Sequence, residues 1–301
     1  MEQRAVIRND AIGSADLMAP LFVPADRPDR VQKAGERGAR AIIIDLEDAV
    51  APGSKAAARG EIAQILSEHS YEGVYLVRVN SVDDPATFEE DLDALRPVMS
   101  AIAALILPKI TAADQVRYVE TQLADVDDPP ALIPTIETAR GVREAWDIAA
   151  AGPLVHTLLF GPVDLSADLG VAVTADGSEM LTARSTVVLA CAAAGIDRPI
   201  DGPWPNLDDT TGLRISTQHA RHLGFGGKIA IHPGQLATLA DEFAPTTAEL
   251  AWATEVVSVY RESVDAGVGA IRLSDGTFID PPVAARASSI LDAAQRSGRT
   301  A

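Results

Sequence analysis

Eight short apolar runs, with helical spans between them and a polar residue at or near the C-terminal end of each, constrain this chain more than any other feature. The runs cover residues 18–23, 41–44, 73–80, 101–107, 131–137, a stretch ending at Asp164, then 199–203 and 228–233. Apolar runs of strand length that alternate with helical spans predict a parallel sheet with crossover helices. Eight such units in βα order are the count of a (β/α)8 TIM barrel, and the 301 residues suit one barrel plus an extension. The polar residues at the run ends are Arg27, Glu47, Arg78, Lys109, Glu137, Asp164, Asp201 and His232. In a barrel such ends converge on one mouth, where the chemistry sits. Residues 1–244 are therefore expected to form the barrel and 245–301 a small C-terminal flap.

The stretch from Ala131 to Gly170 is the most informative. Two of its apolar runs end in a carboxylate, Glu137 and Asp164, each followed by a turn or helix start containing glycine. If both runs are parallel strands, the carboxylates emerge side by side. Two oxygen-donor acids with no thiol or histidine cluster beside them suit a hard divalent cation such as Mg²⁺, with Mn²⁺ as an alternative. Asp45, Glu47 and Asp48 place three acids within four residues at the end of the second run. That is costly unless a cation or hydrogen-bond donors meet them; the plainer reading is an acidic loop. Arg78 lies within an apolar run. It is either paired with an acid of the second run or aimed at an anionic ligand, and both can hold together.

Charge argues in the same direction. With 25 basic and 43 acidic residues the formal net charge is −18, which makes nucleic acid an unsuitable partner. An anionic ligand needs a local basic patch. Residues 26–40 supply one, with five basic side chains (Arg27, Arg30, Lys33, Arg37, Arg40) against three acids. The plainer reading of that patch is a solvated helix face. The single cysteine, Cys191, rules out an intrachain disulfide and lies in an apolar run as a small core residue. No run approaches the roughly 18 apolar residues of a membrane span, and the first ten residues have no apolar signal segment. The expected compartment is the cytoplasm, with no membrane partner.

Helices are expected over residues 26–39 with Asp26 as the cap, 54–68 capped by Ser54, 85–99, 112–125, 141–151, 178–195 and 209–223. Thr246 or Thr247 caps another that runs to Ala266. A hairpin turning at Ser274-Asp275-Gly276 and a last helix over 283–296 follow. His232 precedes a proline and is either a ligand or a strand-end histidine bonded to backbone. His69, His156, His219 and His222 read as non-catalytic.

The stretches LFVPADRPDRVQKAGERGARAIIIDLEDAVAPGSKAAAR, LVRVN, LPKI, IPTIETARG, LLFGPVDLSADLG, IDGPW, GFGGKIAIHPGQ and DGTFIDPPV, in this order, resemble the HpcH/HpaI aldolase and citrate lyase β-subunit superfamily. The likeness is to its citrate lyase β-like branch, which includes malyl-CoA and citramalyl-CoA lyases and malyl-CoA thioesterases, and it spans about residues 18–295. It implies a Mg²⁺-dependent lyase that cleaves a 3-hydroxyacyl thioester of CoA or acyl carrier protein. Glu137 and Asp164 then look like the metal ligands. Arg78 looks like the residue on the substrate oxygens, and Glu47 and Asp48 orient it or a metal-bound water. Arg27, Arg30 and Lys33 are similar to the part that meets the CoA nucleotide. Asp280 matches an acid brought into a neighbour's site within a homotrimer or hexamer. Three departures stand out: Val23-Pro24-Ala25 where the family commonly has VPG, Val163 where the branch often has an acid, and Glu47-Asp48 where the sugar-acid aldolases have Glu-His. Other reactions on the same scaffold are thioester hydrolysis and aldol cleavage of free keto acids. A different class is a non-catalytic binding subunit.

Overall fold

The computed structural model describes residues 12–68, 71–174, 176–265, 271–273 and 276–296. Those residues divide into two compact units, one up to Ala240 and one from Asp241.

The first unit is a TIM barrel. Its strands are β1 (Leu21–Pro24), β2 (Ala41–Asp45), β3 (Val74–Arg78), β4 (Ile102–Leu107), β5 (Ala131–Ile136), β6 (Leu159–Phe160), β7 (Ile200–Asp201) and β8 (Gly227–Lys228). They are parallel and pair in sequence order, β1 through β8. The barrel closes just beyond β8. There Phe22 N–H donates to the Ala230 carbonyl at 2.9 Å, and Ala230 N–H donates to Pro20 at 2.8 Å. Around the strands run α1 (Pro28–Glu36), α2 (Lys55–Glu68), α3 (Pro85–Leu95), α4 (Ala113–Gln122), α5 (Ala139–Ala149), α6 (Pro162–Leu169), α7 (Leu181–Ala194), α8 (Thr210–Leu223) and α9 (Leu236–Phe243). The last of these bridges into the second unit, and its sequence was not expected to be helical.

The central strands are buried on both faces, which is why they read as continuous apolar runs. One face fills the barrel: Ile43, Leu76, Ala104, Ile106, Ile133, Leu159, Ile200 and Ile229 form a single buried cluster. Each large aliphatic side chain so buried contributes about 1.5–3 kcal/mol. The other face, including Ile42, Ile44 and Val77, is buried as well and faces the helices. Side chains alternate along a strand. The inward series Ala41–Ile43 therefore continues to Asp45, Leu76 to Arg78, and Ala131–Ile133 to Thr135 and Glu137. This alternation carries the polar side chains to the mouth.

Several expected boundaries move for identifiable reasons. β1 begins at Leu21, after a short 3-10 turn over Asp16–Met18. Asp26 does not cap α1. Pro28 sits at the first helical position, so Arg27 takes the cap site and makes no side-chain bond there. Asp164 is not the last residue of a strand. Pro162 cannot donate to a sheet ladder, so β6 stops at Phe160 and Asp164 lies in the first turn of α6. Ser54 ends a 3-10 turn that runs directly into α2.

The second unit contains α10 (Thr247–Asp265), a hairpin of β9 (Ile271–Arg272) and β10 (Phe278–Ile279), and α11 (Pro281–Arg296). Ala253, Val256, Leu273, Ile279 and Ala287 make its own small core. Thr246 and Glu249 form a reciprocal cap on α10. Glu249 N–H donates to Thr246 Oγ1 at 3.1 Å, and Thr246 N–H donates to Glu249 Oε2 at 2.8 Å. His69, Ala266 and the first two turn residues, Ser274 and Asp275, lie outside the described residues.

Candidate active site at the barrel mouth

The ends of β2, β3, β4 and β5 bring together one charged cluster. Asp45 grips Arg78 with both oxygens: Nε donates to Oδ1 at 2.7 Å and Nη2 to Oδ2 at 2.5 Å. The same carboxylate accepts the N–H groups of Glu47 at 3.0 Å and Ala49 at 3.2 Å, so the loop after β2 wraps around its own acid. Arg78 Nη1 lies 2.9 Å from Glu47 Oε2. Lys109 Nζ donates to Glu47 Oε1 at 2.7 Å and reaches exposed Asp48 at 3.5 Å. Lys109 N–H donates to Glu137 Oε1 at 2.6 Å. The Arg78 guanidinium also stacks 4.7 Å from the Phe22 ring centroid. Fork-on-carboxylate pairs of this kind are strong and directional.

A network beneath holds β3 in place. Asn80 N–H and Nδ2 both donate to Asp91 of α3 at 2.7 Å, and Nδ2 also reaches the Leu46 carbonyl. Arg59 of α2 donates to Asp91 at 2.7 Å. Lys55 Nζ donates to Asn80 Oδ1. The Asn that follows Arg78 thus ties the strand end to two helices.

The electrostatics bear on what the mouth can hold. Burial and then Asp164 push the Glu137 carboxyl up to about 8, against the pull of the Lys109 N–H. Burial also raises Glu47, opposed by Arg78 and Lys109. Burial works against the charge of Arg78, but the hydrogen bonds and charge of Asp45 outweigh it and push its pKa up. Lys109 is pushed up to about 12, because its bond to Glu47 overcomes its partial burial. Both cations stay charged, and among the described residues they pair with Asp45, Glu47 and Asp48, which leaves Glu137 and Asp164 without a salt bridge of their own. At Glu137 the surroundings disfavour the charged form. A divalent cation beside Glu137 and Asp164 would remove that penalty. Among the described residues no group of three or more His, Cys, Asp or Glu side chains is arranged to hold a metal. The donor set therefore fits Mg²⁺, which takes one or two carboxylates and completes its shell with water and ligand oxygens. It does not fit an ion that needs a full protein cage.

Gly161 shows how closely this pocket is built. A Cβ there would lie 2.5 Å from Glu137 Cβ and 2.6 Å from Glu137 Oε2. Only glycine lets the β6 exit pass the carboxylate.

Not every expected residue joins the mouth. Asp201 follows Ile200, which points into the barrel, so its own side chain points out toward α7. It is fully buried there, bound by Lys228 Nζ at 2.5 Å and Arg184 Nη2 at 2.9 Å. His232 is exposed, and its Nδ1 accepts the Gly234 N–H at 3.1 Å, the backbone-bonded alternative. His156 is buried, 3.5 Å from Asp197. Arg27 and Lys33 share Asp29, at 3.3 and 3.9 Å, and Arg30 is exposed. Such exposed pairs contribute only about 0–1 kcal/mol, so this face of α1 stays open to an anion. Asp280 belongs to the second unit, where its Oδ1 accepts the Val283 N–H at 3.1 Å and caps α11. Lys109 was expected at the mouth only as one polar strand end. Its double contact was not read from the sequence.

Fold and mouth together define a barrel enzyme with an acid-rich, arginine-gripped centre. The chain belongs to the HpcH/HpaI aldolase/citrate lyase family, whose model matches residues 19–233. A citrate lyase subunit beta-like protein of Deinococcus radiodurans is 34% identical over 91% of this chain and 96% of its own. An L-malyl-CoA/beta-methylmalyl-CoA lyase of Rhodobacter capsulatus is 30% identical over 83% of this chain and 86% of its own. Among solved structures, the protein CitE of Mycobacterium tuberculosis in complex with magnesium, acetoacetate and coenzyme A superposes with a TM-score of 0.76. It is 33% identical and covers 93% of this chain and 97% of its own. These relatives place the chain in the lyase class. No helix among the described residues is long and apolar enough to cross a membrane.

Proposed function

We propose that the protein is a Mg²⁺-dependent carbon–carbon lyase that splits a 3-hydroxyacyl-CoA thioester of malyl or citramalyl type into an acyl-CoA and an α-keto acid. The observation that carries this reading is the buried Glu137, held by the Lys109 N–H at 2.6 Å with Asp164 beside it, at a mouth where Asp45 grips Arg78 with both oxygens. The Rhodobacter lyase and the magnesium and coenzyme A complex support the substrate class. We place the reaction in the cytoplasm and the chain in a homotrimer or hexamer.

Glu137 and Asp164 would hold the ion, and Mg²⁺ bound there supplies a Lewis acid for the hydroxyl and carboxylate oxygens of the substrate. Arg78 has five N–H donors; two of them donate to Asp45, and Nη1 lies against Glu47 as an ion pair at 2.9 Å. The N–H groups not engaged by Asp45 are offered to the thioester carbonyl. Loss of the hydroxyl proton and rupture of the adjacent C–C bond push an electron pair toward that carbonyl, and Arg78 stabilises the resulting enolate. Because Asp45 and Glu47 hold the guanidinium before substrate arrives, no reorganisation is needed as that charge develops. Glu47 orients Arg78, and Asp48 supports Lys109. Asp280, supplied from the flap of a neighbouring subunit, accepts the hydroxyl proton and returns it to the enolate carbon, so the proton is conserved over the turnover. Arg27, Arg30 and Lys33 attract the phosphates of the CoA nucleotide.

The test is a Mg²⁺-dependent assay on malyl-CoA and citramalyl-CoA with keto acid and free thiol measured in parallel. Keto acid without thiol is the expected result. Thiol without keto acid would replace the lyase by a thioesterase, and turnover of free keto acids without CoA would replace it by an aldolase.

A further inference from the structure

Lys109 is the single non-glycine residue with positive φ among the described residues, at 55°. A left-handed backbone is disfavoured for any residue with a Cβ, and it persists only where surrounding contacts hold it. Two such contacts hold it, and they lie on opposite sides of β4. The N–H of Lys109 donates to Glu137, beyond β5, at 2.6 Å. Its ammonium donates to Glu47, beyond β2, at 2.7 Å.

We propose that Lys109 is a positioning residue that sets two carboxylates of the mouth independently: its backbone N–H fixes Glu137, and its ammonium fixes Glu47 and, through Glu47, the guanidinium of Arg78. The kinetic consequence rests on the lyase reading above; the positional one does not. A solvated salt bridge would be the plainer account, since the Lys109 side chain is 39% exposed, but its partner Glu47 is only 5% exposed. Removing the ammonium leaves a buried carboxylate with Arg78 as its one remaining cation. That carboxylate then shifts, and the Nη1 contact shifts with it. Glu137 behaves differently, because its anchor is main chain and survives any substitution that keeps the N–H.

The experiment uses the full chain and reads the Arg78 Nε–H resonance by NMR, assigned by its disappearance in Arg78→Lys. In Lys109→Met the resonance moves and its solvent exchange speeds by about threefold or more, and Lys109→Arg restores it. Magnesium affinity measured by calorimetry in Lys109→Met stays within about threefold of the parent, while kcat on the thioester falls about 10- to 100-fold at nearly constant KM. An Arg78 resonance unmoved in Lys109→Met overturns the ammonium half. A loss of Mg²⁺ affinity as large as that of Glu137→Ala overturns the independence of the two anchors. For the backbone half, Lys109→Gly and Lys109→Ala both keep the N–H and lose the ammonium. The glycine variant melts higher, because glycine takes the left-handed conformation freely; equal melting overturns the claim that the backbone is held against its preference. If the parent cleaves no CoA thioester the lyase reading fails, and the Arg78 resonance still decides the positioning.

Discussion

The barrel holds two charged clusters of nearly the same parts, one at the mouth and one buried between strands and helices. At the mouth Asp45 and Glu47 are met by Arg78 and Lys109. On the outer face of β7 and β8, Asp201 is met by Lys228, its register partner, and by Arg184 of α7. The pairing distances are comparable, although Lys109 is 39% exposed and Lys228 only 1%. The difference is which side of a strand each residue occupies. Asp45 and Arg78 continue the inward series and arrive beside Glu137 and Asp164, where acid is in excess. Asp201 is one residue past inward-facing Ile200 and is sealed against α7, where two cations share one carboxylate. Ion pairing therefore does not mark a site by itself. The sign of the uncompensated charge, and whether the mouth can supply its counterpart, separates a binding centre from a brace.

The largest effect should come from the side with excess acid. Glu137→Ala is expected to abolish Mg²⁺ binding and lower kcat/KM by about 10³-fold or more, with the melting temperature in chelator unchanged or raised. Calorimetric titration with Mg²⁺ and the lyase assay check it; activity and binding that survive would remove Glu137 from the metal site. The same carboxyl gives a pH signature. Its folded pKa of about 8 lies above the ordinary 4.5, so the folded state binds the proton more tightly than the unfolded state does. Stability in chelator is full below about 4.5 and is lost as pH rises to about 8. Mg²⁺ takes the proton's place, so the stabilisation it gives should grow across that same window. Urea unfolding at pH 5 and pH 8.5, with and without the ion, measures it; a pH-independent increment would contradict the assignment.

Asp201→Ala tests the brace. It strands Lys228 and Arg184 without a carboxylate in a buried place, and breaking a buried pair in that way costs about 3–5 kcal/mol. The expected result is a protein that unfolds at much lower urea, while the folded fraction keeps its Mg²⁺ affinity. A variant with normal stability and lost metal binding would reverse the roles drawn for the two clusters.

How far the sequence exposed this contrast depends on strand length. β2, β3 and β5 are five or six residues long, enough alternation to put Asp45, Glu47, Arg78 and Glu137 on the inward side, and the pairing of Arg78 with an acid of β2 was readable as one of two outcomes. β6, β7 and β8 are two residues each, and alternation cannot be read from so short a run. Asp201 was therefore expected at the mouth and faces α7 instead, while His232 bonds the backbone of its own loop. Asp164 was expected at a strand end because the apolar run continues through Pro162, but the proline starts a helix instead. The left-handed turn at Lys109 has no signal in the letters, since LPK is compatible with ordinary backbone.

The smallest effect sharpens the comparison most. Lys228 is wholly buried, and burial pulls its pKa down in spite of Asp201. Lys228→Met keeps the length and shape of the side chain and removes one of two cations from a single carboxylate. Arg184 stays, with Nη2 at 3.0 and 2.9 Å from the two Asp201 oxygens, so no charge is orphaned. Replacing a buried charge by an apolar side chain of similar volume is often neutral or stabilising. The expected change is between zero and a gain of about 1 kcal/mol by urea unfolding, with Mg²⁺ binding unaltered. A loss above about 2 kcal/mol would mean that Lys228 is needed to neutralise Asp201 and that Arg184, whose Nε has no hydrogen-bond partner, cannot do so alone. The outer cluster would then be balanced like the inner one, and excess charge would no longer distinguish the two.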